Sequence, residues 1–227
     1  MTQPKARGAL AAWNDCAPEG LAEYERWYAD HLAERVSVPG FREGRRYEAV
    51  PGSGADRRFF TFYPVDSAEV LSSPAYLARL ENPHPDTLAA MRHFRNMMRT
   101  VCVNAQEDGE IAGAYALTLR FAPEDAAHAQ NLPPDFASVL RQELSALHVR
   151  VFVAAPGQTG QTVEARARSK PDENMGFTVI AEFGRATEAE TARKQLAETA
   201  FRVRHQLPEG GVLGIYALLC ILRAGDL

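Results

Sequence analysis

The sequence predicts an α+β protein in which two tandem βαββαβ units place their antiparallel sheets face to face. Three observations support this fold class. The chain has 227 residues, 46% of them hydrophobic, which suffices for one large domain or two small ones. Two short motifs recur at one constant offset, and several β-rich runs are apolar on both faces.

The recurring motifs are 105 residues apart. Pro18-Glu19-Gly20 recurs as Pro123-Glu124-Asp125, and Ala49-Val50-Pro51-Gly52 recurs as Ala154-Ala155-Pro156-Gly157. Because both pairs keep the same register, the offset indicates duplication of a whole supersecondary unit. We expect the first unit in residues 1–107 and the second in residues 108–227.

In the first unit, prolines and glycines punctuate the pattern. Pro18 opens a helix, Pro39-Gly40 ends it, and Pro51-Gly52-Ser53-Gly54 forms the turn of a hairpin. The predicted elements are a strand over residues 8–15, a helix from 18 to about 38, strands over 42–50 and 57–63, a helical region over 67–98 and a strand over 99–105.

The second unit repeats this order. The predicted elements are a strand over residues 111–121, a helix over 135–147, strands over 149–155 and 177–183, a helix over 188–204 and a strand over 212–222. The polar segment 158–174 has no counterpart of its length in the first unit, which predicts a mobile hairpin extension.

This order is that of a ferredoxin-like unit, which packs two helices on one face of a four-stranded sheet. The runs Phe59-Phe60-Thr61-Phe62-Tyr63 and Tyr216-Ala217-Leu218-Leu219-Cys220 are too apolar for a sheet with one solvated face. Packing the two sheets together would bury both, giving an intramolecular dimeric α+β barrel. The alternative is two separate ferredoxin-like domains that pair with other chains. In the barrel, a homodimer would form through other surfaces.

Composition excludes several function classes. The 25 basic and 29 acidic residues give a net charge of −4 without a basic stripe, so we expect no nucleic-acid binding. The stretch before Asn14 is too short for a signal peptide, so a cytoplasmic protein without membrane partners is expected. The three cysteines are far apart, and the histidines lack metal-ligand spacing, so neither disulfides nor a metal site is predicted.

The first helix carries the candidate site. Helical periodicity places Tyr28, His31 and Arg35 on its buried side, with Trp27 on the flank. His31 would act as acid, base or hydrogen-bond donor, and Arg35 would hold an anion. Equally, both could be structural, satisfied by Glu48, Asp15 or backbone carbonyls.

The repeat offers an internal control. The 105-residue offset maps His31 onto Phe136 and Arg35 onto Leu140, and it maps Arg46-Tyr47 onto Val151-Phe152. If the fold required the polar groups, both copies should carry them. We therefore expect the site in the first unit only, with Arg46 and Tyr47 contributing to it. Asn14 and Arg95 are further candidates, at the end of the first strand and near the last one.

The stretch WYADHLAER, followed by VPGF and RRY, resembles bacterial EthD-like proteins of the dimeric α+β barrel superfamily. The resemblance covers roughly residues 8–104, with Asp30 where such sequences often have glutamate. It implies a pocket between helices and sheet. The wider superfamily includes cofactor-free oxygenases, lactone isomerases, haem-handling proteins and aldoxime dehydratases, so the fold does not define a reaction.

We therefore expect a small-molecule-binding, enzyme-like protein that uses no cofactor. Its ligand would be small, partly aromatic and anionic, as for an oxygenase or isomerase. His31 and Arg35 would be catalytic, and the binding residues would be Trp27, Tyr28, Arg46, Tyr47, Asn14 and Arg95. The alternatives are a non-catalytic binding or accessory protein and a haem protein with His31 as axial ligand.

Overall fold

The computed structural model describes residues 6–156, 163–168 and 171–227. Within these residues an antiparallel sheet of eight strands closes into a barrel, and helices pack on its outer face. The strands are β1 (Gly8–Cys16), β2 (Glu43–Ala49), β3 (Phe59–Val65), β4 (Phe94–Gly109), β5 (Tyr115–Phe121), β6 (His148–Ala154), β7 (Phe177–Phe183) and β8 (Val212–Arg223). The helices are α1 (Leu21–Val36), α2 (Pro74–Glu81), α3 (Pro85–Met91), α4 (Phe136–Glu143), α5 (Val163–Arg166), α6 (Ala186–Ala197) and α7 (Thr199–Arg204).

The strand order around the barrel is β1-β3-β2-β8-β5-β7-β6-β4. Each half of the chain thus supplies four adjacent strands, in the orders β4-β1-β3-β2 and β8-β5-β7-β6. Antiparallel pairing of β2 with β8 and of β4 with β6 joins the halves at two seams. The sheets therefore do more than face each other, because within the described ranges the seams leave no edge strand of either half unpaired.

The boundaries of β4 correct one prediction. The sequence predicts a helical region as far as residue 98, but α3 ends at Met91 and β4 begins at Phe94. Phe94 and Arg95 already pair with Cys16 and Asp15 of β1. β4 is long because its first part pairs with β1 and its last part with β6.

The segment 158–174 departs from the predicted hairpin extension. Residues 157–162 and 169–170 lie outside the described part of the chain. The remainder packs on the first half: α5 buries Glu164, and Arg168 is also buried. The Glu173 amide donates to the Met97 carbonyl at 2.8 Å, and the Arg99 amide donates to the Glu173 carbonyl at 2.9 Å.

Side chains fill the barrel interior. Trp13 stacks on Phe60 with ring centroids 4.6 Å apart, and Phe62 contacts Phe152 edge-on at 5.3 Å. Near them, the buried Glu182 carboxylate accepts hydrogen bonds from Arg45, at 2.9 and 3.1 Å, and from Arg150. The interior is thus a packed core with a buried ionic cluster and not an open channel.

The outer layers of the two halves differ in composition. In the second half α4 and α6 cover the sheet with a large aliphatic and phenylalanine cluster. In the first half the layer around α1 is rich in tyrosine and tryptophan and includes buried charges. Among the described residues, none of the helices is both long and apolar enough to cross a membrane.

Candidate functional site

Helix α1 presents its functional side chains to the sheet because they recur every three or four residues. Glutamate, arginine and aspartate side chains occupy the opposite, solvated side. The buried residues of α1 are Tyr24, Trp27, Tyr28, His31, Leu32, Arg35 and Val36. The helix therefore places His31 and Arg35, one turn apart, in the layer between helix and sheet.

His31 lies against the indole ring of Trp27, with ring centroids 4.1 Å apart. Its Nε2 accepts a long hydrogen bond of 3.4 Å from Arg35 Nε. Burial, together with the Arg35 and Arg168 guanidinium groups, lowers the pKa of His31 well below its ordinary value of 6.5. The imidazole is therefore neutral at pH 7, and because Nε2 accepts, its proton lies on Nδ1.

The His31 Nδ1–H group has no hydrogen-bond partner among the described residues. The nearest carboxylate oxygen, from Glu34, is 3.8 Å away, which exceeds a hydrogen-bond distance. A buried donor without a partner is costly unless water or a ligand satisfies it. His31 can thus offer a hydrogen bond to an oxygen atom of a bound molecule.

Arg35 forms a buried ion pair with Glu164 of α5 through Nη2. Its Nη1 has no partner within the described part of the chain. The hydroxyl of Tyr63 is likewise unpartnered there, and burial raises the pKa of Tyr63 well above 10, so this hydroxyl stays protonated. Three unsatisfied polar groups thus belong to one layer.

These groups line a small cavity of about 40 Å³ between α1, the sheet and α5. Its apolar wall includes Leu10, Ala12, Met91, Phe94 and Met97, and its charged residues are Arg35, Arg99, Arg168 and Glu164. Three cations to one anion make it electropositive, although Asp172 pairs with Arg168 from outside the lining at 2.6 and 2.8 Å. The volume holds about one or two water molecules, so a metabolite requires local rearrangement.

A much larger groove of about 860 Å³ lies on the solvent side of Trp27 and His31, bounded by α1 and residues 79–87. Its lining contains two arginines, Arg26 and Arg79, and more acids: Glu19, Glu23, Asp30, Glu34 and Asp86. Trp27 and His31 line both spaces. They separate an acidic outer groove from an electropositive inner cavity, and the unsatisfied groups of Arg35 and Tyr63 belong to the inner one.

Four of the predicted site residues lie together. Trp27, Tyr28, His31 and Arg35 all line the inner cavity. The Trp27 indole N–H donates to the Thr87 hydroxyl at 3.0 Å, and the Tyr28 and Thr61 hydroxyls are 2.5 Å apart. These hydrogen bonds hold the aromatic walls in place.

Arg46 and Tyr47 do not share that cavity. Arg46 lies between α1 and the sheet, where it binds Glu25 at 2.6 and 2.8 Å and covers the Tyr28 ring at 4.3 Å. Tyr47 lies inside the barrel, stacked on Phe60 at 5.2 Å. Consecutive strand residues point to opposite faces, so the expectation that both contribute to one site is corrected.

Asn14 and Arg95 also lie outside the cavity lining. The Asn14 side-chain amide donates to the Tyr24 hydroxyl at 3.1 Å, which fixes the start of α1 against β1. Arg95 donates to the carbonyls of Arg92 and Phe94 at 2.7 and 2.9 Å, at the turn into β4. Both side chains therefore act in local structure.

Sequence reasoning did not identify the acid that pairs with Arg35. Asp15, one expected partner, accepts instead from the Arg58 amide at 2.7 Å, and Glu48 pairs with the Arg58 side chain at 2.8 Å. The actual partner, Glu164, is 129 residues from Arg35. Its only local signal is the helix-forming composition of residues 163–168, with no pattern that relates them to α1.

The equivalent layer of the second half is filled. Phe136 and Leu140, the counterparts of His31 and Arg35, are 2% and 0% exposed within the apolar cluster of that half. The polar cavity layer thus lies on the sheet of the first half, with Glu164 and Arg168 of the second half contributing to its lining. Within the described residues no group of three His, Cys, Asp or Glu side chains is placed to hold a metal ion.

Three solved structures are similar over nearly their whole length. A protein described as anthrone oxidase-like is 12% identical with a TM-score of 0.64, covering 99% of this chain and 96% of that one. A "putative monooxygenase" from Fusobacterium nucleatum subsp. nucleatum ATCC 25586 is 8% identical with a TM-score of 0.55, covering 96% and 95%. Another from Lactobacillus acidophilus NCFM is 7% identical with a TM-score of 0.54, covering 97% of each chain.

At these identities the similarity concerns the fold alone. No protein-family model matches the sequence, and no curated protein matches it significantly. The similar structures and the closed eight-stranded sheet agree on the architecture. This chain therefore has the dimeric α+β barrel fold, completed within a single polypeptide.

Proposed function

We propose that the chain binds a small, partly aromatic, anionic metabolite in the inner cavity and acts on it without a cofactor, in the manner of an oxygenase or isomerase. The observation that carries this proposal is the set of buried, unsatisfied groups on Arg35, His31 and Tyr63. An anion would satisfy Arg35 Nη1, and a carbonyl or phenol oxygen would accept from His31 Nδ1.

The residues suit a proton transfer that both reaction types share. A neutral His31 can accept a proton from an acidic C–H or O–H group of the ligand at Nε2 once the long Arg35 contact opens. The negative charge left on the ligand would face Arg35 and Arg168 in a site of low dielectric. Because its pKa is low, protonated His31 would return the proton readily.

The names of the similar structures favour the oxygenase type. They are an anthrone oxidase-like protein and two proteins described as monooxygenases, and the oxidant in this case would be molecular oxygen. The resemblance of the stretch WYADHLAER in α1 to EthD-like proteins would also favour a pocket at this helix. The Trp27 and Tyr28 rings beside His31 favour an aromatic ligand, because π-systems pack edge-to-face or offset.

A non-catalytic binding or accessory protein is the second candidate. The observation that favours it is the closed form of the cavity, in which Arg35 already occupies His31 Nε2. An enzyme would convert the bound ligand into a product, whereas a binding or accessory protein would not.

Haem does not fit the residues around His31. The inner cavity of about 40 Å³ cannot hold a porphyrin, and a guanidinium group faces Nε2. The outer groove is large enough but lined with an excess of carboxylates, which would repel the haem propionates.

We also propose that the two halves, residues 1–107 and 108–227, descend from one ferredoxin-like βαββαβ unit. The identical strand orders of the two halves support this, as does the 105-residue offset that aligns β2 with β6. An enzyme of this origin would keep one site and use the other unit to complete the barrel.

A ligand screen tests the proposed function. Small aromatic carboxylates, phenols and lactones are added to the wild type and to His31→Phe, and the unfolding midpoint is followed. The matched control is His205→Phe, since His205 is a buried histidine of the second half that contacts the Phe201 ring at 4.3 Å. We expect ligands that stabilise the wild type and the control by roughly 2 °C or more but not His31→Phe.

Equal shifts in all three proteins would place the ligand elsewhere and contradict the proposal. For ligands that bind at His31, oxygen consumption and product mass are then measured. Turnover lost in His31→Phe supports the enzyme, whereas binding without turnover supports the accessory protein.

A further inference from the structure

Within the proposed function, we infer that the anion subsite at Arg35 takes a carboxylate, and that Glu164 of α5 fills this subsite until the ligand displaces it. Glu164 would then be an internal competitor, and the closed cavity would be the self-occupied state of the site.

The first argument is that only one of the two terminal nitrogens of the Arg35 guanidinium group pairs with a carboxylate among the described residues. Glu164 binds Nη2 through one carboxylate oxygen, and Nη1 is buried with no partner among the described residues. Arginine and carboxylate groups commonly pair through two parallel N–H···O bonds, which Glu164 does not achieve here. A free carboxylate, not tethered to α5, could engage both nitrogens and so compete with the internal one.

The second argument is the charge and size of the cavity. Arg35, Arg99 and Arg168 line it, and among the described residues of the lining Glu164 is the single acid. Withdrawing Glu164 would open more space and raise the positive charge at the same time. The apolar wall beside the arginines, which includes Leu10 and Phe94, suits the aliphatic or aromatic body of a ligand carboxylic acid.

The third argument is the burial of Glu164, which is 6% exposed although α5 has only four residues. A buried carboxylate must be paired, and for Glu164 the pairing is with Arg35. The same interaction would hold a ligand carboxylate, which favours this group over a bulkier phosphate.

The test removes the internal carboxylate and supplies an external one. Glu164→Ala is titrated with sodium acetate and sodium benzoate at constant ionic strength, with sodium chloride as reference. At tenfold the dissociation constant, the unfolding midpoint should rise by roughly 3–6 °C. Wild type should show a smaller rise at equal concentration, and Glu164→Ala/Arg35→Met should show none.

The matched control is Glu25→Ala, which removes the acid from the buried Arg46, a residue that lines neither space. Carboxylates should not stabilise it. A rise equal to that of Glu164→Ala, or one that survives Arg35→Met, would overturn the inference. So would stronger stabilisation by inorganic phosphate than by acetate or benzoate.

If Glu164→Ala does not fold, Glu164→Gln retains the side-chain shape without its charge. It should bind benzoate at least about tenfold more tightly than wild type, and unchanged affinity would overturn the inference. The result is separable from the proposed function. Wild type that binds a metabolite at His31 while the Glu164 variants gain no affinity for carboxylates supports the function and refutes the inference. If acetate stabilises Glu164→Ala but no metabolite binds to wild type at His31, the inference is supported and the proposed function is refuted.

Discussion

The two halves of the barrel are alike inside the sheet and unlike outside it. Arg45 on β2 and Arg150 on β6 are separated by the 105-residue offset, and both bind the carboxylate of Glu182. Each also contacts a second acid, Glu43 for Arg45 and Glu107 for Arg150. The interior therefore has matching arginine–glutamate contacts at positions 45 and 150.

The outer layers differ at helix positions that are separated by the same offset of 105 residues. His31 and Arg35 of α1 correspond to Phe136 and Leu140 of α4, and Arg46 on β2 corresponds to Val151 on β6. The interior joins both halves, so a change there affects two partners at once. The layer around α1, which includes α5 of the second half, shares no core cluster with the layer of α4 and α6, so it can hold polar groups without disturbing that layer.

Leu140→Arg should destabilise the protein more than Glu182→Gln or His31→Phe. Leu140 is 0% exposed within an apolar cluster, whereas its counterpart Arg35 has an acid partner. An unpaired charge at this position should cost about 4 kcal/mol or more of unfolding free energy, measured by urea denaturation. Leu140→Met, as control, should cost less than about 1.5 kcal/mol. A mild effect of Leu140→Arg would show that the second layer also accommodates polar groups.

Glu182→Gln tests the shared interior. Burial raises the pKa of Glu182, but Arg150 and Arg45 outweigh it and the net shift is downward, so the carboxylate is ionised at pH 7. Its neutralisation leaves two buried arginines with one acid each, at an expected cost of about 3 kcal/mol. The urea midpoint measures this cost.

The control for Glu182→Gln is Glu25→Gln. Glu25 pairs with the buried Arg46, but its own side chain is 41% exposed. Loss of the Glu25 charge should lower the unfolding free energy by less than about 1 kcal/mol. Equal effects of the two changes would mean that the interior cluster is no more important than an outer ion pair.

The sequence predicts the element order because this order follows from local patterns. The predicted burial of both sheet faces is wrong at the end of β8, where Leu219 and Cys220 are exposed. Predicted boundaries are less accurate where one strand pairs with two partners, as in β4, whose first residues the sequence predicts to be helical. The closure of the barrel through the β2–β8 and β4–β6 seams depends on strand edges, which carry no side-chain pattern.

The candidate site can be predicted from the sequence to the extent that its residues lie on one helix. The spacing of Trp27, Tyr28, His31 and Arg35 placed them on one side of α1. The alternation of side chains along β2 separates Arg46 from Tyr47, because consecutive strand residues point to opposite faces of the sheet. Glu164 and Arg168 reach the cavity through tertiary packing of a segment with no counterpart in the first half, and a repeat cannot predict such residues.

Of these substitutions, His31→Phe should have the smallest effect on the unfolding free energy at pH 7.5. Its effect should also depend most clearly on pH. Phenylalanine is what the second half has at this position, and the change removes only a 3.4 Å contact with Arg35, which keeps Glu164. We expect a cost of no more than about 1 kcal/mol at pH 7.5. A cost of about 2 kcal/mol or more would make His31 a structural residue.

The pH dependence sharpens that result. Burial lowers the pKa of His31 well below 6.5 in the folded protein, so below this pH the unfolded chain binds a proton that the folded protein does not. The contribution of neutral His31 is therefore fully present above pH 6.5 and is lost as the pH falls, by up to about 1.4 kcal/mol per pH unit. Urea midpoints between pH 7.5 and 5 should fall more steeply for wild type than for His31→Phe, so the difference in unfolding free energy shrinks or changes sign. Parallel curves would mean that folding does not lower the pKa of His31, which would contradict its burial beside the Arg35 and Arg168 guanidinium groups.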